Sequence, residues 1–177
     1  MIENYLELPP TMVNVMREVL DKPSELELKQ IRAQVTYQYG RDAERILETN
    51  NVRILKSGKT GRLKHIYING KLIFSLRATD GFLIFSLEGA KLFLEKVPPP
   101  TARVVVMPEV APFIAEGRNL FSKHVLQADK NIRPFEEVIV VTPEDTLVAI
   151  GKAILTGWEM TSFKRGIAVK IRKGIRG

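Results

Sequence analysis

Cysteine is absent from the 177 residues, and with it go disulfides, iron–sulfur clusters, thiolate nucleophiles and sulfur-rich zinc sites. Histidine is almost as scarce. His65 and His124 are the only two, too far apart for a local ligand motif, so no metal and no cofactor is expected. No apolar run approaches the roughly 20 residues that cross a bilayer. The N-terminus, Met1-Ile2-Glu3-Asn4-Tyr5, has neither the basic nor the apolar region of a secretory signal. The expectation is a cytoplasmic protein without a membrane partner. Hydrophobic residues make up 45 %, an ordinary globular share that excludes global disorder.

What is present in excess is positive charge. Twenty-seven Lys and Arg oppose 20 Asp and Glu, a net +7. The excess sits in two places. Ser162–Gly177 carries Lys164, Arg165, Lys170, Arg172, Lys173 and Arg176 with no acid, and Asn51–His65 carries Arg53, Lys56, Lys59, Arg62 and Lys64 with no acid. Two local basic blocks on an otherwise slightly acidic chain are the electrostatic footprint of a polyanion, and nucleic acid is the expected class.

Local patterning divides the chain in two. Thr11 precedes Met12, Val13, Met16, Val19 and Leu20, which share one helical face. Ser24 with Glu27 three residues on is a capping box, predicting a second helix toward Tyr39 with Gly40 as left-handed cap. A shorter helix is expected over Asp42–Glu48. Val52–Leu55, Leu63–Ile68, Leu72–Leu76 and Phe82–Phe85 then read as short strands, with Asn69-Gly70 as a tight hairpin turn and Thr79-Asp80-Gly81 as another. A helix over Leu87–Lys96 leads to Pro98-Pro99-Pro100, which cannot continue it and mark the best boundary.

Beyond the prolines, Arg103–Val106 reads as a buried strand, and Pro108 opens a short helix closed by Gly117. Strands are predicted at Leu120–Leu126, Glu137–Val141, Thr146–Ile150 and Ile167–Ile171, with a helical turn at Gly157–Phe163. Their even spacing suggests a small closed β-barrel. In the last strand Val169 and Ile171 should face the barrel, while Lys170 and Arg172 share the outer face as a phosphate track.

No catalytic constellation emerges. Glu136-Glu137 and Glu144-Asp145 are neighbours, but adjacent strand residues point to opposite faces, and all four are expected in solvent. Gly58-Lys59-Thr60 lacks the first glycine of a phosphate-binding loop, because Arg53 stands there. Its amides and lysines remain available to backbone phosphate. His124 is expected as a strand histidine, Phe121 and Phe163 as core in preference to base stacking, and Trp158 as core or helix-end packing.

The stretches RVVVMPEVAPFIAEGRNLFSKHV, IRPFEEVIVV, LVAIGKAILTGWEM and FKRGIAVKIRKG together resemble a PUA domain, the small RNA-binding barrel of tRNA- and rRNA-modifying enzymes. IRAQVTYQYG, VRILKSGKTGRLKHIYINGK and LRATDGFLIFSLEGAKLF resemble the accessory C2 domain that precedes PUA in archaeosine tRNA-guanine transglycosylases. The resemblance runs from about residue 28 to the end. It implies an α+β protein: a C2-like accessory domain of helices and a small antiparallel sheet over 1–97, a Pro-rich linker at 98–101, and a PUA barrel over 102–177. It covers none of that enzyme's catalytic barrel or zinc site, so the expectation is a non-catalytic RNA-binding protein. The partners implied are structured tRNA or rRNA and a separate catalytic tRNA-modifying subunit, with a ribosome-associated, reinitiation-factor-like role as the alternative. The resemblance places RNA contacts at Gly117, Arg118, Asn119, Lys123, His124, Lys164, Arg165, Lys170, Arg172 and Lys173. A secondary contact is expected at Lys56, Lys59, Arg62 and Lys64.

Overall fold

The structure, a computed structural model, describes residues 20–177. The helix expected from Met12 lies outside the described residues. Helix α1 (Glu25–Tyr39) starts at the predicted capping box. The Ser24 hydroxyl accepts from Glu27 N at 3.3 Å, and the Glu27 carboxylate accepts from Ser24 N at 2.9 Å, satisfying two backbone donors that helix geometry leaves open. Its end differs from the expectation. Gly40 has a positive φ of 82° but an extended ψ of 173°, so it is no left-handed cap and turns the chain directly into a 3₁₀ helix, Arg41–Leu47.

Strands β1 (Val52–Lys56), β2 (Leu63–Ile68), β3 (Lys71–Leu76) and β4 (Leu83–Phe85) form an antiparallel meander. Asn69 and Gly70, at φ 52° and 77°, join β2 to β3, the two positive angles a two-residue hairpin turn requires. Helix α2 (Leu87–Lys96) is capped by Ser86 and lies on β3. The approach is so close that a Cβ on Gly89 would stand 2.0 Å from the Ile73 carbonyl oxygen, and only glycine fits.

The second sheet contains β5 (Arg103–Val106), β6 (Leu120–Phe121), β7 (Val125–Ala128), β8 (Glu137–Val141), β9 (Leu147–Ala153) and β10 (Ile167–Gly174), in the order β6-β10-β9-β8-β5-β7. β5 pairs with β8 in parallel and the other pairs are antiparallel. The strand expected over Leu120–Leu126 is two strands. β6 and β7 sit on opposite edges of the sheet and are joined by a 3₁₀ turn, Ser122–His124. Three residues reach only about 10 Å, so the two edges must meet and the sheet curls into a nearly closed barrel. Helix α3 (Ala111–Ala115) carries Pro112 in its first turn, three residues later than the expected start after Pro108. Helix α4 (Gly157–Ser162) has a second capping box at Thr156 and Glu159. No helix among the described residues is long and apolar enough to cross a membrane.

Two apolar layers hold these elements. Val104, Val106, Leu120, Val138, Val140, Met160 and Val169 fill the barrel. The outer face of β8–β9 contributes Ile139, Val141, Leu147 and Ile150 to a second cluster with Ile31, Tyr39, Phe85 and Phe93. In it the rings of Tyr39, Phe85 and Phe93 lie 5.1–5.3 Å apart. The prolines therefore mark a change of sheet while the core runs on beneath them. Arg103 ties the same junction. It is 2 % exposed, its Nε and Nη2 donate to Asp145 at 2.6 and 3.0 Å, and Nη2 and Nη1 reach the carbonyls of Val97 at 2.9 Å and Thr101 at 3.1 Å. Asp145 is thus an ion-pair partner as well as a partly exposed carboxylate.

A shared core should make both sheets unfold together, giving one cooperative thermal transition. Arg103→Met should lower stability by about 3 kcal/mol, because the carbonyls of Leu94, Val97 and Thr101 and the Asp145 carboxylate lose a charged donor. Calorimetry checks both, and two resolved transitions in the unmodified protein would contradict the shared core.

Candidate nucleic-acid interface

The barrel edge at β6 and β10 gathers most of the residues implied by sequence. Helix α3 ends at Ala115 and is capped by Glu116. Gly117 N donates to the Ile114 carbonyl at 2.9 Å and Arg118 N to the Phe113 carbonyl at 3.2 Å. Gly117 has φ 97° and open space where a Cβ would be. Its glycine is required by backbone conformation, and the bare backbone is open to a ligand. Asn119 Oδ1 accepts from Ile171 N at 3.0 Å, so this side chain fastens the loop to β10 instead of facing outward. On the other side Ser122 N donates to the Gly166 carbonyl at 3.0 Å, which brings Lys164 and Arg165 beside Lys123. All three are exposed.

Between these loops lies a groove of about 420 Å³ lined by Phe113, Gly117, Arg118, Asn119, Phe121 and His124 among others. Phe113 is 49 % and Phe121 44 % exposed. The Arg118 guanidinium lies 5.6 Å from the Phe113 ring centroid. Phe121 and Phe163 differ from the core packing expected of them, since both are exposed, and Trp158, in the first turn of α4, is exposed at a helix end instead of packed there or in the core. Hydrophobic pattern alone does not separate an aromatic that fills a core from one presented at a surface. His124 sits in the 3₁₀ turn, not in a strand. Arg118, Lys123, Lys164, Arg165, Lys170 and Lys173 have no carboxylate partner within ion-pair distance among the described residues.

The last strand needs one correction. Val169 is buried and Lys170 exposed, as the alternation predicts. Register with β9 then shifts between Ile171 and Lys173, and Arg172 bonds Glu137 Oε1. Glu137 is fully buried, and Arg77 from the end of β3 donates to the same oxygen at 3.1 Å. Glu136 is also buried and holds the Arg133 guanidinium. The solvated pair expected at Glu136-Glu137 is therefore two buried ion-pair acceptors. Burial pushes the Glu137 carboxyl above its ordinary pKa, outweighing the opposing pull of Arg172 and Arg77. Arg172 is a structural cation first.

The second basic block is elsewhere. The β1–β2 hairpin lies at the far edge of its sheet, whereas β4 faces the barrel at β8. Lys59, Arg62 and Lys64 are exposed there, but Lys56 is spent on Glu27 at 2.6 Å. Chiefly through this Lys56 contact, and also through its bonds to Ser24, the Glu27 carboxyl falls to a pKa of about 2.

Comparison with known proteins fits this geometry. Residues 29–100 match the patch-forming domain C2 of tRNA-guanine transglycosylase, and residues 102–175 match the PUA domain. A tRNA-guanine(15) transglycosylase of Methanocaldococcus jannaschii is 44 % identical over 147 residues, covering 82 % of this chain and 22 % of the enzyme. One from Pyrococcus abyssi is 40 % identical, with 89 % and 27 % covered. The chain thus spans about a quarter of the length of these relatives. Among solved structures, a hypothetical protein of Pyrococcus horikoshii superposes with a TM-score of 0.72 at 23 % identity, covering 90 % of this chain and 96 % of that one. A conserved PUA-domain protein of Thermoplasma acidophilum gives 0.63 at 24 %, covering 88 % and 93 %.

Lys170→Ala should leave stability within about 0.5 kcal/mol, whereas Arg172→Ala should cost about 1–3 kcal/mol by leaving a buried carboxylate short of a donor. Urea unfolding of the two single variants separates them, and equal stability would contradict the role given to Arg172. The order of motifs, the two domain matches and the fold place the chain among the PUA-domain proteins, with a C2 domain like that of archaeal tRNA-guanine transglycosylases ahead of its PUA domain.

Proposed function

We propose that the chain is a non-catalytic RNA-binding module that recognises structured tRNA and serves a separate catalytic tRNA-modifying subunit. The observation that carries this reading is the groove at the β6–β10 edge. Two exposed aromatic rings and an open glycine backbone line it together with Arg118, and Lys123, Lys164 and Arg165 stand exposed on the adjoining loops; none of these four cations has a carboxylate partner among the described residues. Cations of this kind contact phosphates and fix register, while exposed rings accept unpaired bases without reading a sequence. The names of the transglycosylase relatives support tRNA as the RNA concerned.

Glu136 and Glu137 are each ion-paired to arginine, which supports reading them as structural carboxylates. The chemistry of the reading is therefore recognition by phosphate contact and shape.

Binding to a bulk tRNA pool should weaken steeply with salt. Four to six neutralised phosphates give a log–log slope of about −3 to −5. Arg118→Ala and Lys123→Ala should each reduce that slope by about one. Fluorescence titration across salt measures it. A slope near zero, or tighter binding to ribosomal RNA fragments than to tRNA, would overturn the reading.

A further inference from the structure

A second aromatic–cation site lies on the same sheet, at the junction of the two domains. Arg133, Pro134, Phe135 and Glu136 form a turn closed by Glu136 N donating to the Arg133 carbonyl at 3.3 Å. Proline in the second place and a φ of 72° at Phe135 are the pattern of a turn whose third place normally takes glycine or asparagine. A bulky side chain there is strained, and it gains little burial in return, since Phe135 is 58 % exposed. The strain is held by both flanks. Phe135 N donates to the Ala153 carbonyl at 2.8 Å, and the Phe135 carbonyl accepts from Arg77 Nη2 at 3.0 Å. The ring is therefore presented to solvent by a backbone fixed from the barrel and from the four-stranded sheet together.

Its surroundings are cationic. Lys152 Nζ lies 5.6 Å from the Phe135 ring centroid. In the β9–β10 register Lys152 stands directly opposite Lys170. Like charges so placed oppose each other, and neither lysine has a carboxylate within ion-pair distance among the described residues. Glu137, the β8 partner of Lys152, is already committed to Arg77 and Arg172. Fold stability thus accounts neither for the strained exposed ring nor for the lysine pair. An anionic ligand with a flat face accounts for both.

We propose that Phe135, Lys152 and Lys170 form a stacking site for one unpaired nucleotide of bound RNA. The ring takes the base and the two lysines take the adjoining phosphates. β10 lies between β9, which carries Lys152, and β6, which borders the groove, so the site would continue the RNA path from the groove toward the domain junction. It rests on the RNA-binding reading above and adds to it a position where single-stranded RNA is required.

The test compares a blunt RNA hairpin with the same hairpin carrying a short unpaired adenosine tail, with 2-aminopurine in the tail as reporter of stacking. The unmodified protein should bind the tailed RNA more tightly and quench the reporter. Phe135→Gly should keep or raise the melting temperature, because glycine suits the positive φ, while Phe135→Leu keeps the bulk without the ring. Both should lose about tenfold in affinity for tailed RNA, lose the quenching, and bind the blunt hairpin unchanged. Tailed RNA bound equally well by the unmodified protein and by either variant would overturn the site, as would an equal loss on both RNAs. If the unmodified protein binds neither RNA, the broader reading and this site fall together.

Discussion

The arrangement turns on a buried carboxylate. Glu137 lies at the start of β8 with no exposure, and its Oε1 receives Arg77 from the four-stranded sheet and Arg172 from the last strand of the barrel. Its other oxygen meets no donor among the described residues, and burial raises its pKa despite two guanidiniums. The ionised group is thus under-compensated, and its attraction to the arginines offsets only part of the desolvation. Its structural consequence is orientation. The shared apolar layer of Ile139, Val141, Leu147 and Ile150 brings the sheets together, and the Glu137 cluster sets how they meet. The same Arg77 that bonds Glu137 also holds the Phe135 carbonyl, so the ion-pair cluster and the strained turn are mechanically one unit.

A division of labour among cations follows. Arg77, Arg103, Arg133 and Arg172 face carboxylates and main-chain carbonyls at the domain junction, where a planar fork with several donors is an advantage. The cations at the β6–β10 edge, Arg118, Lys123, Lys164 and Arg165, together with Lys170 and Lys152, are held by no acid among the described residues. Net charge alone does not make this distinction. Eleven basic residues in two acid-free blocks looked equivalent in sequence, yet Lys56 and Arg172 are each taken up by a carboxylate of the chain itself.

Local chemistry was legible where it was decided locally. The Ser24–Glu27 capping box, the Asn69-Gly70 turn, helix α2 and strand β8 all follow from residues within a few positions of one another. What was hidden depends on partners far along the chain. Arg77 and Arg172 are 60 and 35 residues from Glu137, so adjacent glutamates read as solvated. The break between β6 and β7 at Ser122–His124 carries no glycine or proline to announce it, and only barrel closure requires it. Phe121, Phe135, Trp158 and Phe163 are exposed, which apolar character alone argues against. For Phe135 the signal was available: Arg-Pro-Phe-Glu places an aromatic where a Pro-led turn asks for glycine.

The central claim is that RNA lies along the β6–β10 edge of the barrel toward the domain junction, and not on the distant β1–β2 hairpin. Photo-cross-linking of bound tRNA followed by mapping of the modified residues tests it directly. Adducts are expected at Phe113 or Phe121 and continuing to Phe135. Adducts confined to the Lys59–Lys64 hairpin, with none on the barrel, would contradict it.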